Sequence, residues 1–192
     1  MSFLKKAQQA AMIAKERAEE AKERIDELRA ERDAASVRPA TTEQLDGDDR
    51  SRLAEALALG AVDPTELLSR EEASELAGTE LGLARIGHED MALNALYLAE
   101  DRKRRRWSVT VWSWFLREDG GGTAAETWQA LEPAREVGDP IAGLGRDAFA
   151  QDGHVFAWAG DVVFSVEVQV PDEADTRERA LAAARRIAAR VG

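Results

Sequence analysis

The 192-residue sequence has no cysteine, only two histidines and no long apolar run. Without cysteine the chain has no disulfide and no thiol that could accept a lipid anchor. No segment approaches the ~18 apolar residues of a membrane-spanning helix. Lysines and glutamines interrupt the first 15 residues, so these lack the apolar core of a secretory signal. We therefore expect a cytoplasmic protein.

Charged residues are abundant and unevenly distributed. They make up 33% of the chain against 44% hydrophobic residues, a balance typical of a globular domain with a polar, helix-rich part. The formal net charge is -11. Residues 1–35 contain eight basic and eight acidic residues, so the excess of acid lies in residues 36–192. Because an acidic body repels phosphates, we expect no general nucleic-acid binding.

The first 35 residues predict one long helix, since they contain neither glycine nor proline. Apolar residues and alanines recur every three or four positions over about four heptads. This heptad seam consists of Leu4, Ala7, Ala11, Ala14, Ala18, Ala21, Ile25 and Leu28. At ~1.5 Å per residue the helix would be roughly 50 Å long, which is too long for one small domain to bury.

Three uses of this helix are open. The heptad seam suits a coiled coil with a protein partner or with a second copy of the chain. The first 15 residues contain no acid, and Phe3, Leu4, Lys5, Lys6 and Lys15 suit contact with an anionic membrane surface. The third use is structural: the helix packs along its own domain or stands in solvent, supported by ion pairs four residues apart.

The rest of the chain predicts a linker and one domain. Residues 36–50 read as a linker, because Pro39, Gly47 and an acidic run interrupt helical periodicity. Residues 51–192 predict an α+β domain, an antiparallel sheet of five to six strands with helices packed on it. Helices are expected near 51–59, 63–78, 123–135 and 173–190, and strands near 81–86, 92–99, 107–116, 147–150, 154–159 and 162–170.

Local signals mark the ends of the second of these helices. Asp63 followed by Pro64 reads as an N-cap with proline in the first helical position. Ser69 and Glu72 have the spacing of a capping box, and Gly78 is the stop.

One basic cluster interrupts the acidic domain at a predicted hairpin turn. It consists of Arg102, Lys103, Arg104, Arg105 and Arg106. Such a cluster is a candidate contact for an anionic lipid, a nucleic acid or an acidic partner, since arginine offers bidentate and stacking contacts. The alternative is a solvated turn that neutralises nearby acids.

Two tryptophans on the strand after this turn are candidates for a pocket. The strand is apolar on both faces, which predicts a central strand that is covered on both sides or an exposed aromatic patch. Trp112 and Trp114 therefore line a pocket or belong to the core, and the sequence leaves both readings open.

The sequence contains no recognisable catalytic or metal-binding motif. Three adjacent residues, His88, Glu89 and Asp90, read as a polar turn, because neighbours in a loop rarely converge on one ion. His154 opens a strand as a half-exposed sheet residue. We therefore assign no catalytic residue, no metal ligand and no cofactor, and no small-molecule ligand is identified.

Three stretches carry a resemblance to a known family. They are Glu66–Leu68 with Glu71–Ala73 and Leu76–Gly78, the loop Ile141–Phe149, and the hairpin Gly160–Val166 followed by Leu181-Ala182 in a terminal helix. Over about residues 63–190 the chain resembles an actinobacterial domain of unknown function found in small cell-envelope lipoproteins. That family is similar to the extracytoplasmic sensor domain of mycobacterial serine/threonine kinases. The resemblance implies a curved antiparallel sheet that binds ligands or partners, and the missing signal peptide and lipobox cysteine imply a cytoplasmic relative.

The sequence thus predicts a non-catalytic binding or adaptor module. Its N-terminal helix would tether it to a helical partner, to itself or, as a peripheral protein, to the inner membrane face. One alternative is a structural assembly protein in which the helix drives oligomerisation. Another is an enzyme without a recognisable motif.

Overall fold

The computed structural model describes residues 19–20, 22–29, 31–32, 35–43, 47–58, 60–89, 91–115, 122–171 and 175–192. The chain divides into two units, residues 1–37 and 38–192. In the first unit the described residues between 19 and 32 are helical and exposed. Ile25 is 50% exposed and Leu28 60%. The remaining residues of the heptad seam and the residues expected at a membrane lie outside the described residues.

Residues 38–192 form an α+β unit, which confirms the predicted fold class. The described helices are α1 (Gly47–Ala58), α2 (Pro64–Leu67), α3 (Arg70–Ala77), α4 (Ala124–Ala130), α5 (Glu132–Val137) and α6 (Thr176–Val191). The described strands are β1 (Arg38–Pro39), β2 (Gly82–Glu89), β3 (Ala92–Glu100), β4 (Arg106–Trp114), β5 (Asp139–Pro140), β6 (Asp147–Gln151), β7 (His154–Ala159) and β8 (Val162–Gln169).

The strands form one antiparallel sheet in the order β2, β3, β4, β8, β7, β6, β5, and β1 pairs with β3 just beyond the end of β2. Two three-stranded meanders, β2–β4 and β6–β8, are joined where β4 pairs with β8. The sheet has eight described strands rather than the expected five to six. The additional strands, β1 and β5, have two residues each and include a proline, so no alternation of apolar residues indicates them.

The linker expected over residues 36–50 is wrong in part. β1 lies in this segment, and the Ala40 N–H donates to the Leu98 carbonyl of β3 at 2.9 Å. The Ala40 backbone also lies so close to Gly82 that a side chain there would have no room. α1 begins at Gly47, inside the expected linker, and acidic residues are favourable in the first turn of a helix.

The predicted helix caps are confirmed. The Asp63 carboxylate accepts the Thr65 N–H at 2.8 Å and caps α2. Ser69 and Glu72 exchange hydrogen bonds with each other's backbone N–H and begin α3. Gly78 ends α3 in the left-handed conformation, with φ of 73°.

Two expected helices are each divided. The helix expected over 63–78 separates into α2 and α3 because Leu68 is extended. The Leu68 carbonyl instead accepts a 2.6 Å hydrogen bond from the buried hydroxyl of Tyr97, and burial raises the pKa of that hydroxyl. The helix expected over 123–135 separates into α4 and α5 at Leu131.

Four helices cover one face of the sheet. α2 and α3 contact β4, α6 contacts β7 and β8, and α1 contacts β2. On this face Val109 and Val111 of β4 lie opposite Val168 and Val166 of β8, and all four are fully buried. Of the helices in the described part of the chain, none combines the length and apolar character needed to cross a membrane.

Candidate binding site on the aromatic face of the sheet

The opposite face of the sheet carries a layer of aromatic rings. Side chains alternate between the two faces of a strand, so residues two apart on one strand share a face. The register of β4, β8, β7 and β6 places these positions opposite one another. This aromatic face consists of Trp112 and Trp114 of β4, Phe149 of β6, and His154, Phe156 and Trp158 of β7.

Ring contacts link β6 to its neighbour β7, and they also link β7 to β4 across the intervening strand β8. Phe149 and Phe156 are stacked, with centroids 4.7 Å apart and planes 6° from parallel. Trp112 contacts His154 at a centroid distance of 4.8 Å, and Trp114 contacts Phe156 at 5.9 Å. Aromatic pairs contribute about 0.5–1.5 kcal/mol beyond the area they bury. The layer therefore holds its members in fixed relative positions.

One end of the aromatic face is covered by α4 and α5. Trp128 of α4 is 3% exposed and contacts rings of β6 and β7. Its indole N–H donates to the Asp147 carboxylate at 3.1 Å. Trp114 packs in the same cluster, and its indole N–H donates to the Ser165 hydroxyl at 2.9 Å. The structure thus places Trp114 in the covered part of the face.

At the other end, Trp112, His154 and Glu167 remain half-buried. The His154 Nε2 lies 4.0 Å from a Glu167 carboxylate oxygen, and these side chains are 26% and 22% exposed. The His154 Nδ1 is buried, and no group in the described part of the chain hydrogen-bonds to it. An indole, an imidazole and a carboxylate are therefore adjacent and reachable from solvent.

Asn94 is the unusual residue of this face. It lies on β3 directly opposite Trp112 and is 2% exposed. Neither its amide nitrogen nor its amide oxygen has a hydrogen-bond partner among the described residues. A buried polar group without a partner costs about 1–3 kcal/mol, so such groups are rare in native proteins. We define the open end of the aromatic face as Asn94, Trp112, His154 and Glu167.

The basic cluster lies where the sequence predicts it, in the turn between β3 and β4. All five of its residues, Arg102 to Arg106, are exposed. This basic turn and the open end lie on the same strand, because Arg106 begins β4 and Trp112 is six residues further along it. Arg106 of the basic turn and His154 of the open end also line one groove, together with Gln151 and Gln169.

Sequence reasoning missed Asn94 and Glu167 as members of the site. Both lie on strands where the sequence pattern singles out the apolar residues and not the polar residues between them. Only the strand register, which pairs Asn94 with Trp112 and His154 with Glu167, brings them together. The expected polar turn at His88 is wrong for that residue, which lies in β2 with its ring 5.7 Å from Phe115.

No family model, curated protein or solved structure matches this chain. The resemblance to the lipoprotein and kinase-sensor family therefore stays a prediction. Within the described residues, no three histidine, aspartate or glutamate side chains converge as metal ligands.

Proposed function

We propose that this protein is a non-catalytic binding module whose ligand site is the open end of the aromatic face. The observation that carries the proposal is Asn94, a buried amide whose two polar atoms have no partner in the described structure. A group that costs this much without a partner is explained if a bound molecule supplies the partner. The predicted similarity to sensor domains supports the same role.

The chemistry of the open end indicates what it would bind. The half-buried ring of Trp112 offers a flat apolar surface, and the buried amide of Asn94 would offer its NH2 group as donor and its oxygen as acceptor to a ligand edge inserted beside Trp112. A planar, largely apolar molecule with a donor and an acceptor on one edge matches both. The nearby Ser165 hydroxyl accepts the Trp114 indole N–H, so the geometry favours recognition over nucleophilic chemistry.

A thermal-shift screen of planar heteroaromatic compounds tests this proposal. We expect at least one compound to raise the melting temperature of the full-length protein. The rise should disappear in N94L and in W112L, which remove the amide and the flat ring. W107L is the matched control, because Trp107 lies on the same strand and is also half-buried, but its side chain is on the other face. The proposal fails if no compound acts, or if the effect persists in N94L and W112L.

Exposure of the N-terminal helix supports a second candidate function, assembly through the heptad seam. Ile25 and Leu28 are seam residues, and both are largely exposed. Apolar side chains at heptad spacing are stabilised when a partner helix covers them. In this role the helix is the tether that joins the binding module to a helical partner or to a second copy.

Light scattering on the full-length protein tests the second candidate. If the seam joins two copies, I25Q/L28Q should lower the molar mass to that of a monomer, since glutamine keeps helix propensity but removes the apolar contact. R24Q/E27Q is the control, because it changes two exposed neighbours in the same helix without changing the net charge. A monomeric wild-type protein would exclude self-assembly and leave a foreign helical partner.

A further inference from the structure

The basic turn is built around one carboxylate. The Asp101 side chain accepts the backbone N–H groups of Lys103 and Arg105 at 2.8 and 2.9 Å, and the Arg105 guanidinium at 2.7 Å. The Asp101 side chain is 1% exposed, whereas the basic side chains around it are exposed. The carboxylate therefore holds the turn in shape while its five basic residues stay exposed, Arg105 among them although its guanidinium also binds Asp101.

Arg104 occupies a position that glycine would fill more easily. Its φ is 61°, in the left-handed region that non-glycine residues rarely adopt. Tight turns with a residue in this conformation normally have glycine or asparagine there. The chain thus accepts backbone strain and keeps a fourth arginine in the turn. Residues with such strain cluster at functional sites.

The local charge is opposite to that of the whole molecule. The five basic residues of the turn are adjacent to two acids, Asp101 and Glu100, and Arg106 pairs with Glu100 at 3.2 Å. Arg38 of β1 lies opposite Glu100 and adds another cation. The formal charge of the chain is -11. Since charges are screened beyond roughly 8–10 Å at physiological salt, an anionic surface that touches the turn encounters mainly these cations.

We propose that the basic turn binds the anionic headgroups of a phospholipid membrane surface. A single turn is too small to supply the roughly 800 Å² per partner of a stable protein interface. With Arg38 included, the six cations and the two acids Asp101 and Glu100 leave four net positive charges, fewer than the roughly 6–10 phosphate contacts of a tight nucleic-acid complex. A cluster of roughly four to eight lysines and arginines suffices at an anionic membrane surface, where each contributes about 1 kcal/mol. This inference does not rest on the proposed ligand site.

Cosedimentation of full-length protein with vesicles tests the proposal. The vesicles contain phosphatidylcholine alone or with roughly 30% phosphatidylserine, which sets the surface charge. R102Q/R104Q removes two cations of the turn. R52Q/R185Q is the matched control, since it lowers the net charge equally at two exposed arginines outside the turn. R104G tests the strained position, where glycine should raise the melting temperature while one cation is lost.

We expect binding only to the phosphatidylserine vesicles, a loss of about tenfold or more in R102Q/R104Q, and little change in the control. R104G should bind more weakly although it is more stable, a combination that a folding defect cannot produce. The proposal is overturned if the wild-type protein ignores phosphatidylserine, or if the two double variants bind equally. It is also overturned if a duplex oligonucleotide is bound more tightly than the vesicles.

Discussion

Asn94 lies between Gly87 and Trp112 on the sheet, with its amide buried and without a hydrogen-bond partner in the described structure. Leucine has nearly the same branched shape and needs no partner. We therefore expect N94L to raise the free energy of unfolding by about 1–3 kcal/mol in the absence of ligand. Urea denaturation monitored by circular dichroism measures this change. Destabilisation by N94L would mean that the amide has an internal partner, which would remove the main support for the ligand site.

Asp101 gives the basic turn a dependence on pH. Burial raises the pKa of this carboxyl, but hydrogen bonds from the Arg105 guanidinium and from the Arg105 and Lys103 N–H groups lower it more, so the pKa lies below the ordinary 3.8. A depressed pKa means that the carboxylate stabilises the fold fully above the ordinary value. That stabilisation is lost as the pH falls through the lower, folded-state pKa.

Carbon-13 NMR of the carboxyl groups should therefore show the Asp101 midpoint below the ordinary aspartate pKa of 3.8. In D101N the turn loses the charged acceptor, and the decrease of stability below about pH 4 should become shallower. An ordinary midpoint for Asp101 would contradict the described hydrogen bonds.

Among the elements, α3 depends most clearly on its N-cap residue, Ser69. The Ser69 hydroxyl accepts the Glu72 N–H at 3.2 Å, and the Glu72 carboxylate accepts the Ser69 N–H at 2.9 Å. Burial raises the pKa of Glu72, but contacts with Arg190 and Ser69 lower it more, so the carboxylate stays charged. The same carboxylate lies 2.6 Å from Arg190 of α6. The cap therefore connects two helices.

We expect S69A to lower the free energy of unfolding by about 1 kcal/mol, because one N–H at the start of α3 loses its acceptor. S69D is the matched control, since aspartate caps about as well as serine, and it should remain close to wild type. Chemical denaturation of both variants measures the difference. Equal stability of S69A and wild type would show that water replaces the hydroxyl.

Elements with a local chemical signal were predictable from the sequence. The caps at Asp63 and Ser69, the stop at Gly78 and six of the strands follow from spacing and residue type. The two-residue strands and the division at Leu68 were not predictable, since they depend on partners far along the chain. Leu68 is extended instead of helical, and its carbonyl accepts a hydrogen bond from the hydroxyl of Tyr97, which is 29 residues away.

In the candidate site, too, some residues were recognisable from the local sequence, whereas others belong to the site only because of distant strand pairing. Trp112 was recognisable from the aromatic strand pattern, but its position at the open end depends on α4 covering the other end of the face. Asn94 and Glu167 become site residues only through the register of β3, β4, β7 and β8. The alternation of side chains along one strand predicts which residues share a face, whereas the pairing register between strands determines which of these residues are in contact.

At the scale of the whole molecule, the two units should be separable. All five tryptophans lie in residues 38–192, so tryptophan emission reports on that unit alone. We expect a fragment of residues 38–192 to keep the emission maximum and the melting temperature of the full chain. A red-shifted emission or early melting of the fragment would show that the first 37 residues are needed for folding.

Strand β4 contains both Arg106 of the basic turn and Trp112 of the open end, so it fixes the distance between these two sites. Arg106 and Trp112 are six residues apart, which corresponds to about 20 Å along an extended strand. A hairpin standing upright with its turn on a bilayer would hold the open end at that height, well outside the acyl chains. A ligand of the open end would then come from the aqueous compartment. Quenchers attached to lipid chains in the bilayer core should not reduce the fluorescence of Trp112.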